Sequence, residues 1–279
     1  TTVENLASVM TSDGLRVLAL ASVRLPDGAQ IPASPREMGF ALLGLAGLVD
    51  PLRTSAAPAI AAFRRAGIRV VMITGDHADT AYRIARDAGI DGHGVVTGPE
   101  LEGMDDSALA GAVARISVFA RIQPEQKLRI VQALKSQGEI VAMTGDGVND
   151  APSLKAAHIG IAMGGRGTDV AREASSIVLL DDDFAAIVPT IRLGRRIYDN
   201  LRKAMGFIVA VHLPIAGVAL APLILGLPVI FGPVHIAFIE MIIDPVCALV
   251  FEAEREETDI DTRPPRSPAA PLFSRGLIL

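Results

Sequence analysis

The sequence predicts an α/β domain with a parallel sheet, followed by an all-α transmembrane hairpin. Two apolar runs, Val70-Val71-Met72-Ile73 and Ile140-Val141-Ala142-Met143, each lead directly into a Thr-Gly-Asp turn. Short apolar runs bounded by glycine are the pattern of strands buried on both faces of a parallel sheet. Later in the chain, two apolar stretches each have roughly the twenty residues needed to cross a bilayer as a helix.

The elements follow in order. Val17–Val23 is strand-like and is followed by a linker containing Pro32 and Pro35. From about residue 40 a βα alternation sets in. After Thr74-Gly75-Asp76, the residues Ala78, Ala81, Ile84, Ala85 and Ala88 recur at helical spacing, and Gly89 supplies a stop. Pro124 suits the first turn of a helix, Glu125 its positive end, and Lys127 sits near the same amino terminus. Met143 to Pro152 forms a turn at the carboxyl end of its strand, the edge where ligands collect in open α/β sheets. Asp183–Lys203 reads as a helix continuing into the first apolar stretch, Met205–Leu227. Gly226-Leu227-Pro228 then turns the chain tightly into the second stretch, Ile230–Phe251.

The turn at 143–152 places Asp146, Asn149 and Asp150 within five residues, between glycines that permit close approach to a ligand. Such hard oxygen donors suit Mg²⁺, which takes one or two carboxylates and keeps room for water and phosphate. The Thr74 hydroxyl is placed to donate to a phosphoryl oxygen, and Lys127 to supply positive charge. Taken singly, a Thr-Gly-Asp is more often a chain-reversing turn and a lysine a solvated cation. Together they compose a phosphoryl-transfer site, whose task is positioning and charge neutralisation. The chain has no G-x-x-x-x-G-K-[ST], which excludes a P-loop enzyme. Gly164–Asp169 is glycine-rich without a lysine and is expected to be a flexible turn.

Composition is consistent with this division. Of 279 residues, 50% are apolar, and the net charge of −5 with no basic-aromatic stripe argues against a nucleic-acid partner. The one cysteine, Cys247, excludes an internal disulfide. Arg192, Arg195, Arg196, Arg202 and Lys203 precede the first stretch, so the positive-inside rule puts both ends of the hairpin in the cytosol. In the second stretch Glu240 and Asp244 are four residues apart, on one helical face. A charge at mid-membrane costs about 2.5–3.5 kcal/mol, so two carboxylates there call for a use. Pro245 frees a carbonyl near Met241, and carboxylates with freed carbonyls make a cation site. His212 and Pro214 can face it; a neutral His212 bonded to a neighbouring helix is an equal reading, and the acidic pair also reads as simple hairpin pairing.

The residues also carry a resemblance. Thr74-Gly75-Asp76, Gln123-Pro124-Glu125-Gln126-Lys127 and Thr144-Gly145-Asp146-Gly147-Val148-Asn149-Asp150-Ala151-Pro152, in this order, resemble the phosphorylation domain of P-type cation-transporting ATPases. Asp50-Pro51-Leu52-Arg53, Ile161-Ala162-Met163-Gly164, Thr168-Asp169-Val170-Ala171 and Leu179-Leu180-Asp181-Asp182 extend the likeness along nearly the whole chain. The resemblance implies a haloacid-dehalogenase-like (Rossmann-like) domain using Mg²⁺ and ATP. It implies that Asp146 binds Mg²⁺ with Asp150 beside it, and that Asn149 and Asp150 order the phosphate and attacking water. Thr74 and Lys127 would contact the phosphoryl group, with Gly75 and Asp76 near phosphate and nucleotide. Arg16 and Arg53 are implied nucleotide contacts, although an exposed strand-edge arginine is the plainer reading of Arg16.

The apolar stretches resemble the fifth and sixth membrane helices of calcium, sodium–potassium and proton pumps. Asp244 falls at an ion-binding aspartate and Glu240 at a position often held by an amide, which makes Glu240, Asp244 and His212 the implied transported-ion residues. Ile215 and His212 stand where the calcium pump has a glutamate and an asparagine, which leaves calcium open as the cargo. Glu252, Glu254 and Arg263-Pro264-Pro265-Arg266 resemble the segment after the sixth helix.

The implied organisation is the end of a nucleotide-binding domain and a linker (1–39), then a phosphorylation domain without its amino-terminal nucleophile strand (40–197). A stalk with two membrane helices (198–254; about 205–227 and 230–251) precedes a cytosolic loop and the start of a next membrane segment (255–279). The implied partners are ATP, a cation, the bilayer and the remainder of a pump: actuator domain, nucleophile segment and other membrane helices. The implied location is a multi-pass protein of the cell membrane with its phosphorylation domain in the cytosol.

The family's phosphorylated aspartate, in an Asp-Lys-Thr-Gly-Thr segment, is absent. Asp181-Asp182-Asp183 follows the magnesium turn and has no Thr or Val two places on, so it does not substitute. The expectation is a piece of a longer pump, inactive alone. The alternatives are a non-catalytic relic or partner of a pump, or a membrane-anchored phosphatase of the same superfamily, against which the intramembrane carboxylates argue.

Overall fold

The computed structural model describes residues 2–12, 15–26, 28, 30–32, 34–48 and 51–270, without the side chains of Ser12, Arg16 and Glu37. Asp50, which opens the Asp-Pro-Leu-Arg motif, and the expected start of a further membrane segment at 272–279 lie outside the described residues. The chain divides into two compact units, Thr1–Ala57 with Val71–Val178 and Pro58–Val70 with Leu179–Leu279.

In the first unit, helix α1 (Thr2–Ser12) packs on strand β1 (Arg16–Ser22), which pairs antiparallel with β2 (Ala41–Leu48). Helix α2 (Ala56–Arg65) straddles the division between units. The βα alternation then runs β3 (Met72–Ile73), α3 (Ala78–Ala88), β4 (Val96–Thr97), α4 (Gly98–Glu102), α5 (Asp106–Arg115) and β5 (Val118–Ala120). It continues with α6 (Pro124–Ser136), β6 (Ala142–Gly145), α7 (Ala151–Ala156), β7 (Ile159–Met163), α8 (Asp169–Glu173) and β8 (Ile177–Leu179). Local signals explain several boundaries. Gly89 ends α3 at a φ of 80°, a left-handed conformation that glycine adopts without strain. Pro124 opens α6, where its missing N–H costs nothing. At α4, Glu100 accepts from the Thr97 backbone N–H and hydroxyl at 2.7 and 2.8 Å, which holds its carboxyl below the usual range.

The parallel α/β arrangement expected from the sequence is present, with its strands divided between two three-stranded sheets, ordered β3-β5-β4 and β6-β7-β8. The pairs β3–β5, β4–β5 and β6–β7 are parallel. In the first sheet the central β5 is wholly buried, whereas β3 and β6 each end a sheet. Helix α6 serves both cores. Its Ile130 packs with Leu101, Val113 and Phe119, and the next residue, Val131, packs with Met143, Leu154 and Ala162.

In the second unit, a 3₁₀ turn (Phe184–Ala186) capped by Asp183 leads into α9 (Ile187–Leu225), a single helix of 39 residues. It continues through Pro214 and Pro222 and ends on Gly226 at a φ of 68°. At 1.5 Å per residue α9 is roughly 58 Å long, about twice the hydrocarbon thickness of a bilayer. Residues 226–232 connect it to α10 (Pro233–Ala253), which packs back on α9 with Phe207 and Phe251 rings 5.8 Å apart. Both helices are long and apolar enough to cross a membrane, and only 6% of each apolar window is buried within the chain. A core helix of a soluble protein would be mostly buried within its own chain, and these two are not.

The basic residues at the start of α9 have a use that hydropathy does not reveal. The segment after α10 folds back as a strap along them. Arg192 pairs with Glu256 and, at 3.5 Å, with Asp261. Arg195 donates to the carbonyls of Ile260, Arg263 and Ala66 at 2.7, 2.9 and 2.8 Å. Arg196 and Asn200 both reach the Glu254 carbonyl, and Lys203 sits between Glu254 and Glu257 at 3.0 and 2.7 Å. Asp199 pairs with Arg263 at 2.5 Å, and Arg266 stacks over Tyr198 at 4.4 Å.

Candidate phosphoryl-transfer site

The carboxyl ends of β3 and β6 carry the two Thr-Gly-Asp turns, and the amino terminus of α6 links them. Thr74 closes its own turn: its hydroxyl donates to Asp76 Oδ2 at 2.9 Å and accepts from the Asp76 N–H at 3.1 Å. Gly75 and Asp76 are exposed at the crest. The segment leaving β5 is stitched to this turn, with the Arg121 N–H on the Asp76 carbonyl at 2.9 Å and the Ile122 N–H on the Thr74 carbonyl at 3.0 Å. Arg121 has a φ of 52°, a strained conformation for a side-chain-bearing residue of the kind that gathers at functional sites.

From there α6 begins. Its Lys127 Nζ stands 2.6 Å from Asp150 Oδ1, so the solvated-cation reading of this lysine does not hold. Asp150 is buried, and its other oxygen accepts from the Gly147 N–H at 3.3 Å. The fit in this turn is close: a Cβ on Gly145 would stand 2.5 Å from Asp150 Cβ. Asp146 and Asn149 are exposed at the same turn, and the Asp146 carboxylate is bonded to no described side chain. Among the described residues no three His, Cys, Asp or Glu side chains gather into a cage. An exposed Asp146 with Asp150 four residues on in the same turn is a donor set compatible with Mg²⁺, which takes one or two carboxylates and keeps water and substrate oxygens for its other positions.

The remaining candidates lie elsewhere. Arg53 is exposed before α2, its carbonyl accepting from the Ala56 N–H at 3.0 Å. Arg16 opens β1 with its side chain outside the described residues. In the hairpin, His212 Nδ1 faces the Ile208 carbonyl at 2.9 Å and Nε2 lies 3.5 Å from Glu240 Oε1, while the Asp244 side chain is exposed.

Two participants are not visible from sequence spacing. Gln126 is buried, accepting from the Gln123 N–H at 2.9 Å and donating to the Gly98 carbonyl at 2.9 Å, which fixes the start of α6. Arg172 fastens the Gly164–Asp169 turn by donating to the carbonyls of Gly164 and Gly167 at 2.7 and 2.6 Å. The turn expected to be flexible is thus bonded at both ends, and only the glycine in its sequence suggested otherwise.

Comparison with known proteins bears on this geometry. Residues 20–158 match the haloacid dehalogenase-like hydrolase family, and residues 228–279 match the carboxyl-terminal region of cation transporting ATPases. The Calcium-transporting ATPase 1 of Bacillus cereus is 40% identical over 96% of this chain, and the Probable cation-transporting ATPase F of Mycobacterium tuberculosis is 44% identical over 99%. The Calcium-transporting ATPase of Bacillus subtilis is 41% identical over 96%. The chain belongs to the P-type cation-transporting ATPases. It spans about a third of these relatives, 30%, 31% and 30% of their lengths respectively. In P-type terms, the first match covers both Thr-Gly-Asp turns and Lys127, and the second begins at the connection between α9 and α10.

Proposed function

We propose that this chain is the part of an ATP-driven cation pump that carries the phosphate-handling turns and one membrane hairpin. The observation that supports this most is the bond between Lys127 and Asp150, which joins the start of α6 to the acidic turn after β6. In the proposed reaction the γ-phosphate of ATP passes to an aspartate supplied by a segment outside this chain. Among the described residues both sheets end on the strands that bear the phosphate turns, β3 and β6, so each has an edge at which a further strand could pair. Asp146, with Asp150 beside it, would hold Mg²⁺, which supplies charge neutralisation for the transferring group. Thr74 orients a phosphoryl oxygen, Lys127 offsets its charge, and Asn149 with Asp150 orients the attacking water. Asp76, Arg16 and Arg53 are the proposed nucleotide contacts.

The hairpin is proposed to cross the membrane with both ends in the cytosol, as part of a multi-pass protein completed by further helices and an actuator domain. Glu240, Asp244 and His212 are the proposed contacts for the transported cation, and the identity of that cation is a separate question. In the complete pump, cation-stimulated ATP hydrolysis is expected to lose its normal ion dependence in Glu240→Gln and Asp244→Asn. Unaltered ion dependence in both variants would remove these carboxylates from the transport path.

A further inference from the structure

We infer that Arg172 is a positioning residue for the Asp146 carboxylate, acting through the turn 164–168 and never touching the ion. Its Nη1 donates to the carbonyls of Gly164 at 2.7 Å and Gly167 at 2.6 Å, and its Nη2 pairs with Asp169. One planar fork therefore ties the turn to the helix that follows it, a geometry that a lysine ammonium does not reproduce. The turn then grips the acidic loop, because the Thr168 N–H donates to the Asp146 carbonyl at 2.9 Å. The turn has little freedom to take another path: Gly167 is buried, and a Cβ there would stand 2.0 Å from the Met163 carbonyl oxygen.

The consequence concerns Asp146 alone. Its side chain is exposed and is held by no described partner, so its aim is set by its backbone. The backbone is fixed on the strand side by β6, which pairs Gly145 with Ala162, and at Asp146 itself by Thr168. Thr168 is itself held at the start of α8 by the Ala171 N–H on its hydroxyl at 3.2 Å, so removing the Arg172 fork loosens the turn behind the second anchor and leaves the first intact. Groups that orient a metal ligand from behind contribute about 10–100-fold in metal affinity.

This inference rests on the reading of Asp146 as a Mg²⁺ ligand, and the test separates the two. Mn²⁺ serves as the probe, with bound ion counted by electron paramagnetic resonance on the 279-residue chain in detergent. Arg172→Gln is expected to weaken Mn²⁺ binding about tenfold, and Arg172→Lys by a smaller factor, with circular dichroism unchanged. Asp146→Asn should lose the site altogether. Unchanged binding in Asp146→Asn overturns the magnesium reading itself. Loss of binding in Asp146→Asn together with a wild-type isotherm in Arg172→Gln overturns the positioning role alone. If Arg172→Gln does not fold, Arg172→Lys decides, since wild-type affinity there would mean that no guanidinium fork is needed.

Discussion

Lys127 Nζ lies 2.6 Å from Asp150 Oδ1, joining two residues 23 apart in sequence and two different βα crossovers. The lysine side chain is 21% exposed and the carboxylate side chain 9%, so the pair is sheltered but open on one side. That partial exposure is what the proposed phosphate contact at Lys127 requires. The ammonium is already oriented, and the solvent-facing side is where a phosphate would enter.

Truncating the lysine should show how far the pair is sheltered. Lys127→Ala leaves the Asp150 carboxylate buried with one backbone donor, and is expected to cost about 2 kcal/mol, below the 3–5 kcal/mol of a fully buried pair. Thermal unfolding of the chain and of Lys127→Ala, Asp150→Ala and the double variant measures this. The double variant should be more stable than the sum of the two losses predicts.

Two glycines should respond to alanine with opposite signs. At Gly98 a Cβ would stand 2.3 Å from the Arg121 carbonyl oxygen, a backbone atom with no room to yield. Gly98→Ala is expected to destabilise by about 2 kcal/mol and to disturb the start of α6. Gly111 is exposed in α5 with nothing near its added methyl, and Gly111→Ala should stabilise by about 0.5–1 kcal/mol. Paired melting curves of the two variants are the check.

The strap should loosen in acid. Hydrogen bonds from Arg192 to Glu256 and from Lys203 to Glu257 hold both carboxyls below their ordinary value of 4.5. Because these groups ionise more readily in the folded protein, their contribution is complete above the ordinary value and fades as pH falls below it. The pairs are exposed, so salt should weaken them as well. A spin label at Thr258 is expected to stay ordered from pH 7 to about 5, gain mobility below about 4.5, and gain it at neutral pH in molar salt or in Glu256→Gln.

Continuity of α9 is the proposed route by which phosphate chemistry reaches the hairpin. Several glycines inserted near Tyr198, in the complete pump, should abolish cation-stimulated ATP hydrolysis while leaving the phosphorylated intermediate able to form. Intact ion stimulation after insertion would rule out rigid transmission through this helix.

The local features were legible because they rest on short-range chemistry. Pro124 and Gly89 mark helix ends, Thr74–Asp76 and Thr144–Asp146 mark strand ends, and uninterrupted apolar residues mark the hairpin. The division of the strands into two sheets was not legible, since an apolar run records burial without naming its neighbour. The strap was hidden for a related reason. Arg195, Arg196 and Asn200 bind backbone carbonyls 54 to 129 residues away, and any sequence supplies carbonyls. Composition therefore read these cations as topology signals only. Arg172 was missed likewise, because its partners are the carbonyls of glycines.

The most direct measurement is acid-stable, hydroxylamine-sensitive labelling by γ-labelled ATP. Joined to an upstream segment that carries Asp-Lys-Thr-Gly-Thr, the chain should take up label in a Mg²⁺-dependent manner, lose it in Asp146→Asn, and take up none as the 279-residue polypeptide alone. Label on the isolated chain, or undiminished label in Asp146→Asn, would contradict the account.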